Sequence, residues 1–190
     1  MGAIESSTLF GWRLYAEALR QGREQAKTVV VLTDGARDNH TIIQTHFPQA
    51  VHIVDLFHAD EHLIALAQIL WGQEAKAPKT WRDGLAAGDI TRLLRQAGKK
   101  LPASAPSKKS LLTQLGYFEN NAPQMRDAQY RQKKFLVGSG VVEAGCRTVI
   151  GERLKQSGMR WSVHGAKAIR ALRCCILSGR FEDFWASRTL

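Results

Sequence analysis

The sequence predicts an α/β fold, and three features predict it. Two short, continuous, β-branched runs, Thr28-Val-Val-Val-Leu-Thr-Asp34 and Ala50-Val-His-Ile-Val-Asp55, each end on an aspartate. Runs of that length and type read as strands buried on both faces of a sheet. Helical stripes alternate with them, giving the order helix, strand, helix, strand, helix, the pattern of an α/β sheet. The character then changes from Gln73 to Lys134, where no strand-like run occurs, basic residues are frequent, and Pro78, Pro102, Pro106 and Pro123 punctuate the chain.

Each element has its own signal. Leu9, Trp12, Ala16 and Leu19 share a helical stripe, so a helix is expected over about 7 to 22, ended by Gly22. The first strand closes on Asp34-Gly35, and a second helix follows from about Asp38 to His46, ended by Phe47-Pro48. After the second strand, Leu63, Leu66, Ala67 and Leu70 mark a third helix reaching Trp71. Residues 73–134 read as a helical insert with a loose loop near Lys99 to Lys109, dividing a core formed by 1–72 and 135–190. Beyond Phe135, Val142, Cys146, Val149 and Ile150 lie on one face of a helix that Ser139 could cap. A last helix is expected from Ser162, with Ile169, Leu172 and Ile176 as its stripe and Gly179 as its stop.

Composition narrows the function. At 190 residues, with 44% hydrophobic and 23% charged residues, the chain can bury a real core. Its net charge of +10 points to a polyanionic partner, because each Lys or Arg set on a phosphate releases counterions. Cys146, Cys174 and Cys175 form neither a disulfide framework nor a zinc pattern, which suits a reducing cytosol. No apolar run approaches a membrane span.

Several residues could carry chemistry. Asp34 ends a buried strand, where ligands and catalytic groups gather in open α/β sheets, although a strand-terminal Asp-Gly also serves as a plain turn or helix cap. Glu143 falls in the first turn of its helix, where the positive helix end favours an ionised carboxylate, either as a metal ligand or as simple helix-end electrostatics. Arg147, Arg153, Lys155, Arg160, Lys167, Arg170 and Arg173 follow it with few acids between, forming a phosphate-binding set or a solvated basic face. His58 and His62, four residues apart beside Asp55, share a helix face, but no third metal ligand is evident. They read as polar groups beside a site or as structural histidines. Trp161 could stack on a base or serve as a core or hinge residue.

Taken together, Val30-Val-Leu-Thr-Asp-Gly-Ala36, His46-Phe-Pro-Gln-Ala50, Val54-Asp-Leu-Phe-His-Ala59, Val137-Gly-Ser-Gly-Val-Val-Glu-Ala144 and Gly151-Glu-Arg-Leu-Lys-Gln-Ser-Gly-Met-Arg-Trp-Ser162 resemble transposases of the ISKra group of bacterial insertion sequences. The resemblance implies a ribonuclease H-like fold of the DDE superfamily, here its C-terminal part, with a helical insert. It implies that Asp34 matches the second catalytic acid and Glu143 the third, both as metal ligands. The first acid would stand on an earlier strand, and Met1-Gly-Ala-Ile-Glu5 looks like the tail of the third strand of such a core. Asp55-Leu-Phe-His58 looks like the Asp-x-x-His motif of Mutator-like transposases, so Asp55 and His58 are expected next to the site. Arg147, Arg153, Lys155, Arg160 and Trp161 are expected on DNA.

The implied chemistry is phosphodiester hydrolysis and strand transfer with two Mg²⁺ or Mn²⁺ ions about 3.5–4 Å apart. Insertion-sequence ends and target DNA would be the substrates, in a cytoplasmic, nucleoid-associated setting, with a homo-oligomer as a possible assembly. With one acid missing, the chain alone is expected to be inactive. The alternative is a non-catalytic, basic DNA-binding remnant.

Overall fold

Val30–Thr33 (β1) and Val51–Val54 (β2) pair in parallel, with Val30 opposite Val51 and Thr33 opposite Val54. They form a two-stranded sheet within a mostly helical chain. The computed structural model describes residues 5–99 and 105–188. The expected strand tail at residues 1–4 and the middle of the expected loop, 100–104, therefore lie outside the described residues.

The chain divides into two compact units, Gly22–Ser139 and Met1–Gln21 with Gly140–Leu190. The first holds the sheet. Arg37–His46 (α2) connects the strands, and Leu56–Trp71 (α3) follows β2 with Asp55 as its N-cap. Lys79–Ala87 (α4), Thr91–Gly98 (α5), Ala105–Asn121 (α6) and Asp127–Gln132 (α7) complete it. The loop expected near Lys99 to Lys109 is thus shorter than its composition suggests, because α6 is already helical at Ala105. Pro106 fits there, as the first turn of a helix has no use for its missing N–H.

Alternation along β2 sets the packing. Ile53 joins one cluster with Tyr130 and Val137, whereas Val54 joins another with Leu63, Leu66, Trp81, Leu93, Leu111 and Phe118. Successive strand residues face opposite sides, so this short strand divides the interior. The larger cluster welds α3 to α4, α5 and α6, so residues 73–134 share one core with α3. Gly138 belongs to the same unit and lies against the ring of Phe57, where a Cβ would come within 2.6 Å.

Gly88, the αL residue closing α4, is a second close approach. Its φ is +78°, and an added Cβ would meet the Met125 carbonyl oxygen at 2.9 Å and the Arg126 Cα at 3.1 Å. Both obstacles are backbone. Gly88→Ala is therefore expected to destabilise the unit by about 2 kcal/mol in urea unfolding, from left-handed strain plus the clash. A loss under about 0.5 kcal/mol would show that the facing turn moves freely.

Two burial expectations are corrected. β1 is only half-buried along its length, not a fully buried strand, since β2 is its one partner among the described residues. In the second unit, Ser7–Arg20 (α1) carries its stripe outward, with Leu9 59%, Trp12 60% and Leu19 36% exposed. The physical reason is common to the unit. Every buried hydrophobic side chain among the described residues belongs to Gly22–Ser139. An amphipathic face is buried only where a second apolar layer meets it.

The second unit continues with Gly140–Cys146 (α8), a π-helical turn over Arg147–Gly151, and Glu152–Leu154 (α9). Val163–Leu177 (α10) is capped by Ser162, whose Oγ accepts from the Gly165 amide at 3.0 Å. Gly179, at φ +67°, ends that stretch, and a further short helix follows at Phe181–Ala186 (α11). Leu172 and Ile176 of the expected stripe remain exposed. No described helix is long and apolar enough to cross a membrane.

Candidate functional site

The parallel register brings two aspartates to one edge. One step past the Thr33–Val54 pair stand Asp34 and Asp55, and the Asp55 amide donates to the Thr33 carbonyl at 2.7 Å. This is the carboxyl edge, where α/β proteins place their ligands. Asp34 is exposed, and Gly35 turns the chain with φ +82°. Asp34 Oδ1 accepts from the Ala36 amide at 2.8 Å and from Asn39 Nδ2 at 2.7 Å. That oxygen does the work of a turn aspartate. Its Oδ2 takes no hydrogen bond from the described residues and remains open to a ligand.

A helix from the distant 105–121 segment pins this turn. Tyr117 Oη donates to the Asp34 carbonyl at 3.0 Å, and Asn121 Nδ2 donates to the Gly35 carbonyl at 3.3 Å. Asn121 also donates to the Tyr117 carbonyl at 2.9 Å, and its Oδ1 meets His40 Nε2 at 2.8 Å. A Cβ on Gly35 would fall 3.0 Å from the Asn121 amide, so a glycine is required by space as well as by φ. The phenol of Tyr117 is pushed up, chiefly by burial and then by the negative charges of Asp34, Asp55 and Glu61. It therefore stays a proton donor to the turn.

Beneath the turn, Thr33 Oγ1 lies 2.8 Å from His52 Nε2 and accepts from the Gly35 amide at 3.2 Å. His52 is pushed down to about 4 by burial and by the facing His40, whose ring stands edge-on at 4.7 Å. It is held neutral at physiological pH.

Asp55 is buried, and its Oδ1 accepts from the Phe57 amide at 3.0 Å as the cap of α3. Next to it in charge is Asp127, the first residue of α7, 1% exposed and with Oδ1 lacking a partner. Burial raises the Asp127 carboxyl to about 6, Arg131 opposes that, and Asp55 adds to it. Sequence reasoning passed over Asp127, Tyr117 and Asn121. No local signal marked them, since each acts through contacts with residues far away in sequence or through burial.

The two histidines are committed locally. His58 Nδ1 pairs with Glu61 at 3.2 Å, while His62 Nδ1 meets Gln114 Oε1 at 2.7 Å and its ring stacks on Tyr117 at 3.6 Å. His58 and His62 face one another at 5.3 Å between ring centroids. Among the described residues no three His, Cys, Asp or Glu side chains are grouped to hold a metal ion. Asp34 thus offers one open carboxylate oxygen and needs further ligands to bind a cation.

In the other unit, Glu143 stands exposed in the first turn of α8. The π turn after it adds a residue and so rotates everything downstream by about 100° relative to a plain α-helix. Arg173 from α10 serves that turn, donating from Nη2 to the Thr148 carbonyl at 2.5 Å and from Nε to the Val149 carbonyl at 3.0 Å. It is a structural cation. Arg153 lies over the Trp161 ring at 5.6 Å, and its Nη1 reaches Met159 Sδ at 3.8 Å. Arg147, Lys155 and Arg160 are exposed, as is Trp161 at 36%. The structure therefore groups Asp34 with Asp55 and the start of α3 in one unit, and Glu143 with the basic set in the other. Compared with known proteins, the chain matches no family model, no curated sequence and no solved structure.

Proposed function

We propose that this chain is part of a DDE transposase of a bacterial insertion sequence, built on a ribonuclease H-like core and serving DNA cleavage and strand transfer. The observation that carries the reading is Asp34, an exposed carboxylate with one open oxygen at the carboxyl edge of a parallel strand pair, on a turn pinned by Tyr117 and Asn121. Asp34 and Glu143 are each proposed as a carboxylate ligand to Mg²⁺ or Mn²⁺, hard cations that take oxygen donors. When bound, such ions activate the attacking oxygen and stabilise the leaving one. Arg147, Arg153, Lys155 and Arg160 would neutralise phosphates, and Trp161, already backed by Arg153, would meet DNA with its open face. A homo-oligomer bound to two DNA ends is the assembly this chemistry suits.

A second reading, a non-catalytic DNA-binding remnant, draws on the exposed basic residues Arg147, Lys155 and Arg160. Duplex binding with and without Mn²⁺ separates the two. Both readings expect affinity to fall by about 10³-fold or more between 50 and 200 mM salt if six or more phosphates are contacted, with a shallower slope in Arg147→Ala and Arg160→Ala. The transposase reading further expects Mn²⁺ to tighten binding in the unaltered chain but not in Asp34→Asn or Glu143→Gln. Salt-steep binding indifferent to Mn²⁺ favours the remnant, and binding flat in salt sinks both.

A further inference from the structure

A cavity of about 630 Å³ opens beside the Asp34 turn, lined by Arg37, His40, Tyr117, Asn120 and Asn121 together with the turn backbone. Its walls differ in kind. His40, Tyr117 and Asn121 are immobilised by the hydrogen bonds that pin the turn. Arg37 and Asn120 are exposed, and their side chains have no hydrogen-bond or ion-pair partner among the described residues. A fixed wall faces uncommitted polar groups that can orient a ligand, and the volume lies within the range of small-molecule sites. The uncommitted pair has a definite chemistry. A guanidinium matches phosphate in a planar fork, and a primary amide offers a donor and an acceptor side by side, as the edge of a nucleobase does.

We infer that this cavity takes a single unpaired nucleotide of DNA beside Asp34, with Arg37 on its phosphate and Asn120 on its base edge. The inference rests on the reading of the chain as a DNA-acting protein and adds to it a preference for DNA ends or junctions that carry an unpaired base. Tyr117 is held to the Asp34 carbonyl and stacked on His62, so a nucleotide entering the cavity meets a wall already fixed in place.

The test is equilibrium binding of the full chain to three labelled duplexes of equal length: blunt, with a one-nucleotide 3′ overhang, and with a one-nucleotide 5′ overhang. One overhang should bind about tenfold tighter than the blunt end. Arg37→Ala and Asn120→Ala, both at exposed positions, should each reduce that ratio toward one, with unfolding midpoints confirming that each variant is folded. If the chain binds blunt duplex in a salt-dependent way but shows no overhang preference, or keeps the preference in both variants, the pocket is wrong while the DNA reading stands. If it binds no DNA at all, both are wrong.

Discussion

Replacing Asn121 by alanine is expected to destabilise Gly22–Ser139 by about 3 kcal/mol. The side chain is 2% exposed and makes three hydrogen bonds, to the Gly35 carbonyl, the Tyr117 carbonyl and His40 Nε2. Truncation leaves the buried Gly35 carbonyl and the half-buried His40 nitrogen without their partner, and each unsatisfied buried group costs about 1–3 kcal/mol. The lost side chain is also the one that a Cβ on Gly35 would meet at 3.0 Å, so the turn loses its close neighbour. Against a typical domain stability of about 5–15 kcal/mol, a loss of this size is easily read as a shift in the urea midpoint with little change in slope. Tyr117→Phe, which removes one hydrogen bond from the same turn, should cost about 1 kcal/mol. The ordering of the two variants is the informative result. If Asn121→Ala loses no more than Tyr117→Phe, the Asp34 turn is held by its own Asx geometry and α6 is not its clamp.

That clamp also marks the limit of what could be read from sequence. Asp34 was legible because a β-branched run ending in Asp-Gly is a local signal, set by strand propensity and by the turn that glycine permits. Asp55 was legible as the end of a second such run, as were the strands, the order of the elements and the start of the last helix near Ser162. Tyr117 and Asn121 were not. They reach Asp34 and Gly35 across 83 and 86 residues, and nothing in the helical pattern of 105–121 separates an asparagine that faces solvent, such as Asn120, from one that is buried. The same holds for burial. The stripes at Leu9, Trp12 and Leu19 and at Leu172 and Ile176 correctly marked helices, but a stripe says which face is apolar and not what covers it. The π turn at Arg147–Gly151 was silent as well, because it depends on Arg173 reaching two carbonyls from another helix.

Asp127→Asn is the one substitution near this edge expected to stabilise the protein, by about 1–3 kcal/mol at neutral pH. Burial is the main reason, with the neighbouring Asp55 adding to it and Arg131 only partly offsetting it, so the carboxyl titrates near 6 in place of its ordinary 3.8. A raised folded-state value fixes the sign. Below about pH 3.8 the group is protonated in the folded and unfolded chains alike and exerts no penalty. As pH rises, the unfolded chain gives up its proton first, so stability is lost progressively and the full penalty is in place once pH passes about 6. Each pH unit in that window is worth about 1.4 kcal/mol, which sets the upper end of the expected gain. Asparagine keeps the shape and cannot ionise. Its advantage in urea unfolding should therefore be largest at about pH 7.5 and shrink to nothing near pH 4. Asp127→Ala would separate shape from charge, because it also removes the ionisation but leaves a void at a buried position, and so should trail Asp127→Asn at every pH. A loss at pH 7.5 would mean that the carboxylate is ionised and partnered in the folded protein, as it would be if the edge bound a cation, and a pH-independent gain would mean that its ionisation is not what costs stability.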